Sequence, residues 1–477
     1  MKKESENKFK LIDYLILLFI LIIAFSLRVY KINNPLADWE SSQQVNTAAV
    51  ARNFVDNGLD LFHPKADDLS NLQSGIENPN GYRMAEFPIY SAIFASFYKY
   101  LPLLSLEAYG RLTTALFSLI IIFTIYFLLL KENTRFSAVI GALVYSVFPY
   151  FVFFSRVILP ETTAVGLIFL SLFFLYLFLK GKNKTLGIIN LIISATLFSL
   201  GLLTKTTVIF YLIAAVYLFY KKYGFALYKK ILPYVFVAIA FIPWLTWKYY
   251  FQSYPAGIPL STWLISTRWF KDLQTIFFYR INNLILGGYL SVLFILGVLS
   301  KNKRYLFSSM LVSSLLYLFI FLGGNVRYGY YQTIILPSLV IFVALGTNFF
   351  YKNYKSFIFP PLTAFIVVLI FISSFIASYS AVQNYYNYSS DLVSISNVIK
   401  DLTYKNDKII TETGGDATLL YLADRSGSPT IFKDLSELKK DGYSYFVTSD
   451  FKTKNDLEKR GKFNLIFTNE KFAIFKL

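Results

Sequence analysis

Apolar runs of membrane length recur along this 477-residue chain, and no other feature constrains its fold as much. They lie at Leu11–Leu27, Leu112–Leu130, Phe136–Phe154, Thr162–Leu179, Leu186–Leu203, Thr206–Phe219, Ile231–Trp247, Leu284–Leu299, Tyr305–Leu322, Thr333–Phe349 and Ser356–Ser378. A bilayer's hydrocarbon layer is about 30 Å thick, and about 20 apolar helical residues cross it. No water reaches the backbone there, so each run must close its own hydrogen bonds as a helix. The sequence therefore predicts an α-helical polytopic membrane protein with about eleven transmembrane helices.

Charge orients these spans. Lys2, Lys3, Lys8 and Lys10 precede the first run. Lys131 and Arg135, then Lys180, Lys182 and Lys184, then Lys221, Lys222, Lys229 and Lys230, then Lys301, Lys303 and Arg304, then Lys352 and Lys355 fill every second short loop. The short loops between them offer only Arg156, Lys205 and Arg327. Cytoplasmic loops collect Lys and Arg, so the N-terminus is expected in the cytoplasm of a plasma-membrane protein, and an odd number of spans puts the C-terminus outside. The first run has a basic flank but no small-residue cleavage site after it, and it is expected to stay as a helix. The same loop bias accounts for much of the net charge of +18. On a soluble protein that charge would suggest nucleic acid; here no nucleic-acid partner is expected. The chain has no Cys, so no disulfide or thiolate metal site, and its single His, His63, argues against His-based catalysis or a His metal cluster.

Four regions follow: residues 1–27, a cytoplasmic N-terminus and first transmembrane helix; residues 28–110, a long first extracytoplasmic loop; residues 111–380, a transmembrane bundle; and residues 381–477, a small extracytoplasmic α/β domain. In the first loop, Val45, Ala48, Ala49 and Arg52 recur at helical spacing within Ser41–Asn57, and Gly58 is a natural stop. Asp60–Arg83, rich in Asn, Asp, Gly and Ser, reads as an ordered loop. Pro88–Leu101 suits a short interfacial helix; were it a span, the parity of the topology would change. After Tyr379–Tyr388, a Tyr-rich interfacial belt, the pattern predicts helices at Val393–Leu402 and Thr418–Ala423. It predicts strands at Lys408–Thr411, Thr430–Phe432, Tyr445–Val447, Phe463–Phe467 and Phe472–Phe475. Gly414-Gly415 lacks a phosphate-loop fingerprint and reads as a turn.

The outward helix mouths carry the residues that could do chemistry. Asp38 and Glu40 follow the first span, Glu86 lies in Glu86-Phe87-Pro88, and Arg156 and Glu161 flank Pro160. Lys205 ends a later span, and Arg327 precedes the Tyr330-Tyr331 pair. Ionisable groups beside hydrocarbon are costly unless solvated or paired, which marks them as functional candidates, although each could simply snorkel to the interface. Gathered on one side, they fit a lipid-phosphate sugar donor. A carboxylate can take the proton of an acceptor hydroxyl, Lys and Arg can hold the leaving phosphate, and a polyprenyl tail can lie between apolar helices. Aromatic residues, 19% of the chain, could line such a site but also populate any membrane interface.

The ordered motifs resemble those of the GT-C-fold membrane glycosyltransferases, most closely the family-39-like group related to protein O-mannosyltransferases and aminoarabinose lipid A transferases. They are Asp38-Trp39-Glu40 followed by Thr47-Ala48-Ala49-Val50-Ala51-Arg52-Asn53-Phe54, then Glu86-Phe87-Pro88-Ile89-Tyr90, Gly110-Arg111-Leu112, Ser155-Arg156 to Pro160-Glu161, Gly201-Leu202-Leu203-Thr204-Lys205, and Tyr330-Tyr331-Gln332 with Pro337. The resemblance implies an inverting, mannosyltransferase-like enzyme that moves a sugar from a polyprenyl-phosphate donor to the hydroxyl of a glycolipid, protein or cell-envelope polymer, with no metal and no cofactor. It implies that Asp38 is the catalytic base, with Glu40 the other candidate. It also implies that Lys205 contacts the donor phosphate, that Glu161 positions donor or acceptor, and that Glu86 occupies the second acidic position of the first loop. Arg156, Arg327, Tyr330 and Tyr331 complete the expected donor site. The chain departs from relatives at Glu40 and Arg327, where His or another residue is common. It also lacks the Trp-Trp-Asp motif of oligosaccharyltransferases, which argues against N-glycosylation. A transporter or flippase of lipid-linked sugars is the alternative, and a non-catalytic scaffold binding envelope polymers a third. The first would carry charges in mid-span or repeated halves, whereas the charges here sit near span ends.

Overall fold

The computed structural model describes residues 9–72, 74–255, 264, 268–300, 305–353 and 359–477. Lys2, Lys3, Lys8, Lys301, Lys303, Arg304, Lys355 and the first residues of the Ser356–Ser378 run lie outside them. Among the described residues, eight helices are long and apolar enough to cross a membrane: Leu11–Arg28, Leu106–Glu132, Pro160–Lys180, Lys184–Thr204, Thr206–Lys229, Ile231–Ser253, Gly329–Asn353, and one within Pro361–Leu402. The pair Trp269–Ile285 and Leu290–Leu299, bent by 116°, makes up to nine, and Arg135–Val147 and Tyr305–Ile320 are shorter apolar helices. Eight or nine spans stand against the eleven expected, because the run Phe136–Phe154 is broken at Phe148 into Arg135–Val147 and Pro149–Phe154 and the run Leu284–Leu299 is broken after Ile285; the chain is a multi-pass α-helical membrane protein. By compactness it divides into two units. One comprises Met1–Tyr30, Arg111–Trp247 and Leu260–Asn384; the other comprises Lys31–Gly110, Lys248–Pro259 and Tyr385–Leu477.

In the helical unit the burial pattern is the one hydrocarbon demands. Along Leu11–Arg28 the exposed positions include Leu11, Ile12, Leu15, Leu18, Phe19 and Ile22, while Asp13 and Arg28 are wholly buried. Asp13 accepts from Arg135 Nη2 at 2.9 Å and from the Tyr126 hydroxyl at 3.2 Å. Arg28 donates to the carbonyls of Tyr145 (3.0 Å) and Ser146 (3.1 Å). Those carbonyls end the helix Arg135–Val147, where helical carbonyls lack partners and a cation is favoured. Small residues draw other helices together: a Cβ on Gly297 would overlap the Phe342 carbonyl oxygen, and one on Gly346 the Leu293 carbonyl oxygen. The helices Leu290–Leu299 and Leu336–Asn353 therefore touch backbone to backbone, as small-residue interfaces in membranes allow.

The second unit holds a five-stranded sheet: β1 (Lys408–Thr411), β2 (Gly427–Ser428), β3 (Tyr443–Thr448), β4 (Asn464–Thr468) and β5 (Ala473–Lys476), in the order β2-β1-β3-β5-β4. β1 runs parallel to β2 and β3, and β5 runs antiparallel to β3 and β4. Alternating side chains feed two cores. Ile409, Tyr445, Val447 and Ile474 pack with the helices Ser390–Leu402 and Thr418–Ala423. Ile410, Phe446 and Phe475 pack with Leu435, Leu438 and Leu457, as the period of two requires. The first loop continues the sheet: Gly427 N–H donates to the Asp67 carbonyl at 2.9 Å, and Leu69 N–H to the Gly427 carbonyl at 2.7 Å. Arg52, from the helix Ser41–Asn57, bonds Asp67 at 2.6 Å and Asp424 at 3.1 Å and lies 4.5 Å over the Tyr421 ring. Burial pushes the Asp67 carboxyl above its ordinary range, against the pull of the Arg52 guanidinium.

Local expectations fare unevenly here. Ser41–Asn57, Lys408–Thr411 and Thr418–Ala423 form the expected elements at the expected bounds. Gly58 ends its helix at φ 94°, and Gly414 and Gly415 turn with positive φ. Thr430–Phe432 is not a strand. The partner of β1 is Gly427–Ser428, and at Pro429 the chain turns away, its carbonyl taking the N–H groups of Thr413 and Gly415. The short helices Leu435–Lys440 and Phe451–Arg460 were not expected, since each buries only one or two apolar residues. Their starts are set by Asp434 and Asp450, whose carboxylates cap backbone N–H groups. Ile89–Tyr100 has 12 residues, about 18 Å of helix against a layer of about 30 Å, so it is too short to cross alone.

We expect Gly297→Val to force the two touching helices apart. Overpacking of this kind costs about 1–3 kcal/mol, and a lowered midpoint of thermal unfolding in detergent would record it, whereas a surface change such as Lys440→Ala should leave that midpoint in place.

Candidate active site

The acids of the first loop belong to the second unit. Asp38 is 5% exposed, Trp39 is exposed, and Glu40 is half-buried. The Gln44 side-chain amide donates to Asp38 Oδ1 at 2.8 Å and to the Trp39 carbonyl at 2.9 Å. Glu40 takes left-handed backbone angles (φ 59°, ψ 27°) directly before the helix Ser41–Asn57. A side chain in that region costs about 1–2 kcal/mol, and the strain turns the chain sharply from acid into helix. The Glu40 carbonyl then accepts from Gln43 and Gln44 N–H at 3.1 and 3.2 Å. So Asp38 and Glu40 sit on a turn, one sequestered and one half open. Glu86 is half-buried in the bend before the helix Ile89–Tyr100. His63, in the same unit, meets Asp60 at 2.8 Å and the hydroxyls of Tyr250 and Tyr254 at 2.9 and 3.1 Å.

The helical unit brings together Glu161, Lys205, Tyr330 and Tyr331. Pro160 opens the helix Pro160–Lys180 at its first position, where its missing N–H costs nothing. Glu161 in that first turn is an acid at the positive end of the helix dipole. Lys205 ends the helix Lys184–Thr204 in extended backbone. Its Nζ lies 2.8 Å from Glu161 Oε1 and 5.1 Å from the Tyr331 ring centre. The Glu161 side chain is 2% exposed and that of Lys205 12%. The Tyr330 and Tyr331 rings are 4.5 Å apart. The short 3-10 helix that carries them, Gly329–Ile335, is fixed from several sides: Tyr317 OH donates to the Tyr331 carbonyl at 3.0 Å, Tyr150 OH donates to the Gly329 carbonyl, and the Gln332 amide donates to the Asn325 carbonyl at 2.8 Å. Arg327 is exposed at the end of the helix Leu322–Arg327. Arg156 is wholly buried, and its Nε donates to the Arg28 carbonyl at 3.2 Å, which ties it to the first span. Among the described residues, no three His, Asp or Glu side chains gather as metal ligands would.

Three contributors were not singled out from the sequence. Gln44 gave no signal, because its amide reaches Asp38 only through the left-handed turn at Glu40. Tyr317 is one aromatic among many. Arg280 donates to the Val326 carbonyl at 2.8 Å; a charge next to an apolar run, it met the criterion that selected Lys205 and Arg327.

The architecture matches solved structures along more than nine-tenths of its length. The crystal structure of ArnT from Cupriavidus metallidurans bound to undecaprenyl phosphate aligns with a TM-score of 0.67 over 97% of this chain and 97% of that one, at 12% identity. The chain has the GT-C fold. Archaeal oligosaccharyltransferase AglB from Archaeoglobus fulgidus, in complex with an inhibitory peptide and a dolichol-phosphate, aligns with a TM-score of 0.59 over 92% of this chain and 69% of that one, at 11% identity. Arabinofuranosyltransferase AftD from Mycobacteria aligns with a TM-score of 0.58 over 94% of this chain and 36% of that one, at 12% identity. The sequence model of the dolichyl-phosphate-mannose-protein mannosyltransferases matches residues 92–250. No curated protein matches this GT-C chain in sequence.

Breaking the buried Glu161–Lys205 pair should cost about 3–5 kcal/mol, because one buried charge is left uncompensated. Lys205→Met is therefore expected to unfold at a markedly lower temperature than the double variant Lys205→Met/Glu161→Gln, with thermal scans of both beside wild type as the check.

Proposed function

We propose that this protein is an inverting glycosyltransferase that moves a sugar from a polyprenyl-phosphate donor to an acceptor hydroxyl at the extracytoplasmic face of the plasma membrane. The observation that carries this reading is the buried Glu161–Lys205 pair at two helix ends, in a fold shared along 97% of its length with a structure bound to undecaprenyl phosphate. The basic loops support a cytoplasmic N-terminus and an extracytoplasmic C-terminal domain. A hexosyl or pentosyl group, mannose-like in its recognition, is the expected cargo. The acceptor is a glycolipid, a protein or an envelope polymer.

In this mechanism Asp38 takes the proton of the acceptor hydroxyl as its oxygen attacks the anomeric carbon. The bond from that carbon to the phosphate oxygen breaks on the opposite face, which inverts the centre, and the electron pair leaves on the polyprenyl phosphate. Lys205 offsets the negative charge that grows on the phosphate, and Glu161 holds its ammonium in place. Arg156 and Arg327 add positive charge to the donor site, and Tyr330 and Tyr331 present rings to the sugar. Glu40 and Glu86 accept hydrogen bonds from hydroxyl groups of donor or acceptor, with Asp38 preferred over Glu40 as base because it is the more sequestered of the two. No metal or cofactor enters the scheme.

The test follows donor consumption by purified protein with radiolabelled polyprenyl-phosphate sugars. Asp38→Asn should slow transfer by about 10²–10⁴-fold, the usual contribution of a positioned base, while donor still binds. Lys205→Met should weaken donor binding by about ten- to a hundred-fold, a charged hydrogen bond's contribution. Full turnover by Asp38→Asn would remove it as the base. Sugar-lipid movement across proteoliposomes without any transfer would favour a flippase instead.

A further inference from the structure

The turn that carries Asp38 is held by chain from the far end of the sequence. Trp39 N–H donates to the Tyr385 carbonyl at 3.3 Å, and Ser389 N–H donates to the Ala37 carbonyl at 3.1 Å. The residues on either side of Asp38 are thus each pinned to residues 385–389, the segment that leads from the last apolar helix into the C-terminal domain. The Trp39 and Tyr385 rings stack nearly parallel, 3° apart, with centres 4.3 Å from one another. One turn earlier, the Asn34 amide donates to the Tyr386 carbonyl at 3.0 Å. From the other side Gln44 grips both the Asp38 carboxylate and the Trp39 carbonyl.

These contacts answer a physical need. Glu40 stands in a left-handed conformation that an L side chain holds only when its surroundings over-determine it. Without an outside hold the chain would relax at Glu40, and the Asp38 carboxylate would swing with it. Trp39 remains 47% exposed despite its stack, so burial of its own ring does not fix the turn. The stack and the paired backbone groups do.

We infer that Tyr385, Trp39 and Gln44 are positioning residues for the acid of the first loop, and that the segment entering the C-terminal domain thereby sets the geometry of the reacting carboxylate. This rests on the assignment of Asp38 as the base. The C-terminal domain then has a catalytic consequence without touching substrate: its entry strap holds the turn, while Arg52 and residues 67–69 hold the rest of the first loop to the same domain.

The test uses the full-length enzyme in detergent, with donor Kd and transfer kcat measured separately for Asp38→Asn, Tyr385→Ala, Tyr385→Phe and Gln44→Leu. Misplacing a reacting group by about 1 Å can cost about a hundred-fold, so Tyr385→Ala and Gln44→Leu should lower kcat by about ten- to a hundred-fold with donor Kd unchanged. Tyr385→Phe keeps the ring and should restore kcat. An inactive Asp38→Asn beside wild-type kcat in Tyr385→Ala and Gln44→Leu would overturn the strap and leave the base assignment standing. Active Asp38→Asn would overturn both. Parallel loss of kcat and donor binding in Tyr385→Ala and Tyr385→Phe alike would make the segment merely structural, which also overturns the inference.

Discussion

Hydrocarbon solvates neither backbone amides nor charges, and the rest of this protein is arranged around that fact. Spans close their own backbone hydrogen bonds, and peripheral ones such as Leu11–Arg28 turn Leu, Phe and Ile outward while their charged groups are buried. Arg28, Arg111 and Arg156 are wholly buried in the helical unit. Arg28 survives there because its guanidinium is spread over carbonyl groups at a helix end and the Ser155 hydroxyl. Asp13 survives because Arg135 and Tyr126 reach it. Charges in such a unit persist where other groups satisfy them, and Glu161 with Lys205 is such a pair at the start of one helix and the end of another.

The second unit solves a different problem. A long loop rich in Asn, Asp and Gly has little apolar surface with which to order itself, so it borrows order from the C-terminal sheet. Residues 67–69 supply one more row of backbone pairing beside β2. Arg52 spans from the helix Ser41–Asn57 to Asp67 and Asp424, and Tyr421 reaches Glu107 at 2.7 Å. Stretches more than 300 residues apart in the sequence thus fold as one compact body. The acid turn at Asp38 is tied into that body by the backbone pairs Trp39–Tyr385 and Ala37–Ser389.

Much of the local structure was legible because its causes are local. The apolar runs, the helix Ser41–Asn57 and the strand Lys408–Thr411 announce themselves through periodicity and composition. Leu435–Lys440 and Phe451–Arg460 did not, since short charged helices owe their existence to caps and to a sheet already in place. At the candidate site the acids and cations were legible as charges near helix mouths. Their partners were not: the amide of Gln44 could have bonded anything, and nothing local marks Tyr317 among the many aromatic residues of the chain.

By itself, then, the sequence determined the solvent of each segment. Apolar length selects membrane or water run by run, without reference to the fold. Tertiary structure alone decided that Glu161 meets Lys205, that Trp39 stacks on Tyr385, and that the first loop and the last domain are one body. Those pairings depend on directions in space set by helix ends, one left-handed residue and a sheet edge, and contacts between residues distant in sequence leave no periodic trace in the chain that makes them.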